Sequence, residues 1–300
     1  MTRMRLAFYA MGAVAAIGAG LGGRGLAWLA AAPAALRSNG IVPKGGSLLI
    51  CGGGRLPDEV RRRFLELAGG SNARIVVIPT ALRSADAPET EQDCLKPWRD
   101  LGAKSVTMLH TRDRSRAGDP RFLAPLRAAT GVWMVGGHQS RLAAAYGGTE
   151  VERQLKALAD RGGVVGGTSA GAAIMTRVML VGEAPDDPFG RGFDLLEGAI
   201  IDQHFLKRRH LKRLIDAMET HPGLLGFGID EGTALLVRGN RLSVLGDSYV
   251  VACLPGPGKP ASPKVEILRS GDEADLTSLR GPTPRIVPGL NIDDGLSTGE

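Results

Sequence analysis

The sequence predicts an α/β protein built on a doubly wound, mostly parallel sheet, and three observations carry that expectation. Short apolar runs at Ser47–Cys51, Arg74–Pro79, Ser105–His110, Gly131–Val135 and Gly163–Gly166 are rich in Val, Ile and Leu and bounded by Gly, Pro or polar residues. They are apolar on both faces, as strands buried between two helical layers must be. Amphipathic stretches alternate with them, and alternation of strand with helix defines this class. The third observation is glycine, 43 of 300 residues, clustered as pairs at the ends of the runs where tight turns are needed.

The helical stretches follow from side-chain spacing. Pro57 to Ala68 carries Val60, Phe64, Leu65 and Leu67 at near-helical intervals, with Asp58 and Glu59 in the first turn, where the helix dipole favours acids. Gln139–Tyr146 and Glu150–Asp160 have the same character, and Ala172–Met179 reads as a further helix. Beyond Gly226 the pattern becomes Gly226–Asp230, Thr233–Val237 and Leu242–Leu245, short strands with a hairpin turn at Gly239-Asn240. These predict a C-terminal β extension of the same domain, with Val265–Leu268 as a last strand. The expected organisation is a targeting segment or N-terminal anchor over 1–40, an α/β domain over 41–272 and a loosely ordered tail over 273–300.

The first forty residues argue for export. Arg3 and Arg5 precede an uncharged run, Leu6–Gly23, and Ala30-Ala31-Ala32 offers small residues for cleavage. This predicts a periplasmic, secreted or membrane-anchored protein, with membrane contact through residues 1–36. A helix packed on the domain is the alternative, and it would leave the protein cytoplasmic. Charge and composition narrow the function classes further. The formal charge is +6, but the basic cluster Lys207-Arg208-Arg209-His210 has no aromatic residues interleaved, which speaks against a nucleic-acid platform. Cys51, Cys94 and Cys253 show no C-x-x-C spacing and no grouping with histidine, so neither a zinc site nor a disulfide framework is expected. Gly52-Gly53-Gly54 follows a strand, but it matches neither a dinucleotide fingerprint nor a P-loop.

Chemistry concentrates at Gly167-Thr168-Ser169-Ala170-Gly171, a G-x-S-x-G sequence between an apolar strand and a helical stretch. In that context the serine sits on a sharp turn at the carboxyl edge of the sheet, its neighbours must be small, and the next amide, that of Ala170, points where an oxyanion would form. A serine nucleophile needs a base. His204, in Asp202-Gln203-His204-Phe205 after Ile200-Ile201, stands at a strand end; His138, in Gly136-Gly137-His138-Gln139, is its main rival. The Gly136-Gly137 loop can supply a second oxyanion amide from Gly137, with Gln139 beside it. Asp230-Glu231 puts two carboxylates after a strand, either of which can orient His204 or bind a substrate amine. Arg209 and Arg213, four residues apart, would share one face of a helix and could grip a carboxylate.

Taken in order, Gly136–Gln139, Gly166–Ala172, Asp202–Phe205 with its following arginines, and Gly228–Ala234 resemble the motifs of the cyanophycinase-like serine peptidases, relatives of the aspartyl dipeptidases. The resemblance spans roughly residues 46 to 269. It implies a flavodoxin-like, class I amidotransferase-like fold, Ser169 as nucleophile, His204 as base and Glu231 as the acidic member. It also implies a substrate pocket lined by Gln139, Asp202, Gln203, Arg208 and Arg213, with no metal and no cofactor. Its implied substrate is a peptide, specifically a β-aspartyl-arginine polymer, and the reading is compatible with a homodimer. Two positions depart from the pattern: His210 stands where an arginine is usual, and His138 where Asn or Asp is common. Both touch recognition rather than the nucleophile, so an esterase or amidase on the same machinery, or a non-catalytic binder of acidic peptides, stays open.

Overall fold

The protein is described from a computed structural model, which covers residues 45–182, 188–256, 263–280 and 285–288. Five strands, β1 (Ser47–Cys51), β2 (Arg74–Ile78), β3 (Ser105–Met108), β4 (Gly131–Met134) and β5 (Val164–Thr168), form its parallel core in the order β1-β5-β4-β2-β3. β1, β4 and β5 are buried almost throughout, as near-continuous apolar runs require.

Helices cover both faces. α1 (Asp58–Leu67) and α2 (Pro88–Asp100) pack on one side, where Val60, Phe64, Leu95 and Trp98 meet Leu49, Ile75, Val77 and Trp133. Phe64, Trp98 and Trp133 form a three-ring cluster with centroids 4.9, 5.0 and 5.1 Å apart, so a chain poor in aromatics concentrates them at one contact. The other side is covered by α3 (Pro120–Ala128), α4 (Gln139–Tyr146) and α5 (Glu150–Asp160), whose Leu123, Leu126, Leu142, Val151, Leu155 and Leu158 bury Ile50, Val76, Ile78, Val132 and Val165. α4 and α5 match the spans read from spacing. α2 and α3 lie outside the helices that spacing predicts, because Pro97 and Pro125 interrupt the helical signal.

After β5 the chain departs from expectation. The helix expected over Ala172–Met179 is a single turn, α6 (Ala170–Ala173), followed by the small hairpin of β6 (Val178–Leu180) and β7 (Phe189–Arg191). Long-range pairing overrides local propensity here. The Ile174 carbonyl accepts from the Phe193 amide, and that of Met175 from Leu195 and Leu196. β8 (Ala199–Gln203), α7 (Leu211–Thr220) and β9 (Leu225–Ile229) follow, then β10 (Thr233–Arg238), β11 (Arg241–Gly246), β12 (Tyr249–Leu254) and β13 (Lys264–Arg269).

These C-terminal strands divide between two sheets. β10 and β11 extend the main sheet antiparallel from β1, joined at Gly239-Asn240 with Arg238 opposite Arg241. β8, β9, β12 and β13 make a separate four-stranded sheet, with β8 parallel to β9 and the others antiparallel. The chain crosses from β9 of this sheet to β10 of the main one at the short turn Asp230–Gly232.

Residues beyond 272 are not all loose. β14 (Glu273–Asp275), α8 (Leu276–Leu279) and β15 (Ile286–Val287) complete a nine-stranded sheet, and Ala274, Leu276 and Leu279 join the core. Too few apolar residues lie there to reveal the strands by pattern alone. The tail assignment therefore fails over 273–280 and 285–288, and residues 289–300 lie outside the described residues. So do residues 1–40, and with them the targeting segment and the membrane contact over 1–36. Among the described residues no helix is long and apolar enough to cross a membrane. The chain divides after Asn39, and everything described here belongs to the unit 40–300. The three cysteines are free. Burial raises the thiol pKa values of Cys51 and Cys253, the latter to about 11, so both pack as small neutral apolar groups.

Candidate active site

The two sheets meet where the carboxyl ends of β1, β5 and β8 converge with the turn after β9. Three backbone hydrogen bonds hold the meeting point: Ser169 N–H to the Cys51 carbonyl (3.0 Å), His204 N–H to that of Gly52 (2.8 Å) and Gly52 N–H to that of Thr233 (3.0 Å). Residues far apart in sequence thus share one edge.

Ser169 follows β5 with φ of 53° and ψ of −111°, a conformation L residues seldom adopt and a mark of stored strain. Its neighbours are small for a steric reason. A Cβ on Gly167 would lie 2.3 Å from the Gly171 carbonyl oxygen, and one on Gly171 would lie 2.2 Å from that of Met134. α6 is too short for a sizeable macrodipole. What it contributes is the N–H of Ala170 in its first turn, which has no acceptor within the helix.

His204 also has positive φ, 54°, and this turns its ring back over the site. Ser169 Oγ lies 2.8 Å from His204 Nε2, and His204 Nδ1 lies 2.7 Å from Glu231 Oε1. The carboxylate can only accept, so Nδ1 carries the proton and the Nε2 lone pair faces the serine hydroxyl. The His204 side chain is 12% exposed and that of Glu231 35%, which leaves the relay enclosed but reachable. The adjacent carboxylate does different work. Asp230 Oδ1 accepts the amides of Leu206 and Lys207, each at 3.0 Å, and its Oδ2 accepts the Ser248 hydroxyl at 2.8 Å. It fastens the loop after His204. His138, the rival base, is exposed at the N-cap of α4, and no contact joins it to Ser169 among the described residues.

Gly136 and Gly137 lie alongside. A Cβ on Gly136 would be 3.4 Å from Ser169 Cβ, which places this loop against the serine. Gln139 is buried, and its Nε2 donates to the Leu180 carbonyl at 2.6 Å, tying α4 to β6. Asp202 is fully buried. Arg213 grips it bidentately, through Nε to Oδ2 at 3.0 Å and Nη2 to Oδ1 at 2.6 Å, while His210 Nδ1 approaches Oδ1 at 3.0 Å. Arg213 also reaches the Gly182 carbonyl at 3.1 Å. Gln203 is buried with its Oε1 unpartnered among the described residues. Arg208 and Arg209 are exposed. They lie in turns before α7, Arg209 at φ 57°, so the shared helical face expected for Arg209 and Arg213 does not form. Replacing Arg213 by Leu should destabilise the fold by about 3–5 kcal/mol, because it takes the bidentate cation from a buried carboxylate and leaves only His210 beside it. Equilibrium urea unfolding measures this.

Gly52-Gly53-Gly54 forms the floor of the site: a Cβ on Gly53 (φ 109°) would lie 2.3 Å from His204 Cε1, and one on Gly54 2.8 Å from Glu231 Cβ. The sequence signal for it is a third glycine-rich strand end beside the other two, although it matches no nucleotide motif.

The model of peptidase family S51 matches residues 48–245. The chain belongs to peptidase family S51. It is a serine peptidase of that family, and its curated relatives agree. It is 38% identical over 224 residues to a cyanophycinase of Synechococcus elongatus, covering 70% of this chain and 68% of that one. It is 33% identical over 202 residues to a cyanophycinase of Geminocystis herdmanii, covering 64% and 73%. Among solved structures this S51 peptidase resembles a peptidase from an acI-B1 Actinobacterium, with a TM-score of 0.60 at 21% identity over 77% of this chain and 98% of that one. A candidate peptidase E from Listeria monocytogenes EGD-e gives 0.51 at 18% identity over 68% and 99%. Both support the α/β fold with its mostly parallel sheet.

Proposed function

We propose that this S51 peptidase hydrolyses β-aspartyl isopeptide bonds through a Ser169 acyl-enzyme. The observation that carries the chemistry is the unbroken relay from Ser169 Oγ to His204 Nε2 to Glu231, at 2.8 and 2.7 Å. Ser169 Oγ attacks the scissile carbonyl carbon as its proton passes to Nε2. The resulting oxyanion lies between the N–H groups of Gly137 and Ala170. As the C–N bond breaks, the imidazolium returns that proton to the leaving amine. Water then attacks the acyl ester with His204 as base again, releasing the acid and restoring the serine. Glu231 holds the imidazole in the productive tautomer and stabilises its charge.

The substrate class is supported by the relatives named cyanophycinases and by the exposed cations Lys207, Arg208 and Arg209 just beyond His204, which suit a substrate bearing carboxylates. Gly53 should be intolerant of any side chain. Gly53→Ala forces the His204 ring aside, and turnover should fall by about a hundredfold, since small misplacements of a reacting group have large effects.

The deciding experiment is incubation with defined β-aspartyl-arginine chains and with α-linked and ester controls, products being read by mass. Release of β-aspartyl-arginine dipeptides with the α-linked chain intact is expected. Cleavage of the controls alone would make it an α-peptidase or esterase. Tight binding without cleavage, and without Ser169 labelling by a fluorophosphonate, would make it a binding protein.

A further inference from the structure

We propose that Thr80, His110 and Tyr146 are positioning residues, forming a buried hydrogen-bonded relay that fixes the Ala81 carbonyl and, through it, the Gly137 amide beside Ser169. This rests on the reading that the Gly137 N–H receives the oxyanion.

The relay starts from three different elements. Thr80 stands in the turn after β2, His110 and Thr111 just beyond β3, and Tyr146 at the end of α4. Thr80 Oγ1 lies 2.9 Å from the Tyr146 hydroxyl and 2.8 Å from His110 Nδ1. The Thr111 amide donates to the Tyr146 hydroxyl at 3.0 Å. His110 Nε2 lies 3.0 Å from Asp86 Oδ1, and Arg112 Nε donates to Asp86 Oδ2 at 2.5 Å. Arg112 Nη2 also donates to the carbonyls of Leu82 and Arg83, at 3.0 and 3.2 Å.

One arrangement of protons satisfies every member. The Thr111 N–H donates to Tyr146, the Tyr146 hydroxyl to Thr80, the Thr80 hydroxyl to His110 Nδ1, and His110 Nε2–H to the Asp86 carboxylate. Both ends favour that direction. Burial raises the pKa of the Tyr146 phenol, keeping it a donor, while the hydrogen bonds of Arg112 and then His110 hold the Asp86 carboxyl below its usual range, keeping it an acceptor. Directional chains of this kind strengthen one another and hold one geometry. The grouping of Thr80, His110 and Asp86 has the composition of a nucleophile relay, but Thr80 is only 1% exposed, so substrate does not reach it.

What the relay holds is the turn carrying Ala81. The Ala81 carbonyl accepts the His138 amide at 2.9 Å and Arg141 Nη1 at 2.8 Å. It sits so close to Gly137 that a Cβ there would be 2.3 Å from it, and a Cβ on the preceding Gly136 would meet Ser169 Cβ at 3.4 Å. The Gly136-Gly137 loop thus adjoins both Ala81 and the serine, and because the next amide, that of His138, is bonded to the Ala81 carbonyl, a shift of the Ala81 turn carries the Gly137 amide with it. Tyr146 closes the circuit, since α4 begins immediately after that loop.

The test is the rate at which a fluorophosphonate labels Ser169, because its phosphoryl oxygen occupies the place of the oxyanion. Thr80→Val keeps the shape and removes the hydroxyl. It should slow labelling about tenfold to a hundredfold, while Thr80→Ser restores the wild-type rate. Asp86 is largely exposed, so Asp86→Ala keeps the fold, and it should slow labelling in the same direction by removing the acceptor of His110. Wild-type labelling of folded Thr80→Val, or a Thr80→Ser variant as slow as Thr80→Val, overturns the inference. Should Thr80→Val not fold, unchanged labelling of Asp86→Ala overturns it. If the wild-type protein itself is not labelled at Ser169, the proposed function fails and this inference with it.

Discussion

Ser169→Ala should reduce peptide hydrolysis by a factor on the order of a million, the scale seen when a serine nucleophile that works as one unit with its base is removed. The fold should be unaffected, for a local reason. Alanine keeps the Cβ, so the strained φ of 53° is neither relieved nor worsened, and the Ser169 side chain makes no capping hydrogen bond to α6. The backbone contacts at this residue persist in the variant: the amide to Cys51, and the carbonyl accepting the amides of Ala172 and Ala173 at 2.9 Å; the one side-chain hydrogen bond lost is that to His204 Nε2. Product release followed by mass and a parallel thermal melt check both halves. The melt should shift by no more than about 1.5 kcal/mol of stability, the scale of the single hydrogen bond to His204 that is lost. Undiminished hydrolysis by a folded variant would remove Ser169 from the chemistry.

The second large effect concerns two carboxylates that are neighbours in sequence and perform different tasks. Glu231→Gln should lower turnover by about a thousandfold to ten-thousandfold, because an amide can present its NH₂ to Nδ1 and stabilise the wrong imidazole tautomer. Asp230→Asn should do much less to turnover. Its oxygen can still accept the amides of Leu206 and Lys207, and the damage is confined to anchoring the loop. Steady-state kinetics on both variants distinguish the roles. Equal losses would mean that Glu231 acts through structure alone.

Much of this architecture was readable beforehand because it follows from short-range rules. Buried parallel strands need runs apolar on both faces, and β1 appears at Ser47–Cys51 as read. α4 and α5 likewise fall where spacing put them, at Gln139–Tyr146 and Glu150–Asp160. The G-x-S-x-G motif marks its own turn, since its glycines answer carbonyl oxygens that leave no room for a Cβ. Where long-range pairing competes with propensity the pattern misleads. Ala172–Met179 has helical composition, yet its carbonyls are claimed by Phe193, Leu195 and Leu196. β14 carries one buried residue, Ala274, too little for any periodicity.

The sequence by itself determined the α/β class, the turn that presents Ser169, and three more loops rich in glycine or polar residues at strand ends, because each depends on residues within a few positions of one another. Residue spacing left His138 beside His204 and Asp230 beside Glu231, and only the family resemblance favoured His204 and Glu231; the tertiary structure shows His204 facing the serine, Glu231 rather than Asp230 on its Nδ1, and Arg213 bound to the buried Asp202. Those outcomes depend on two sheets meeting at one edge, which brings residues 53, 169, 204 and 231 together. Chain spacing carries no information about that meeting; the packing of the sheets and the hydrogen bonds from Cys51, Gly52 and Thr233 do.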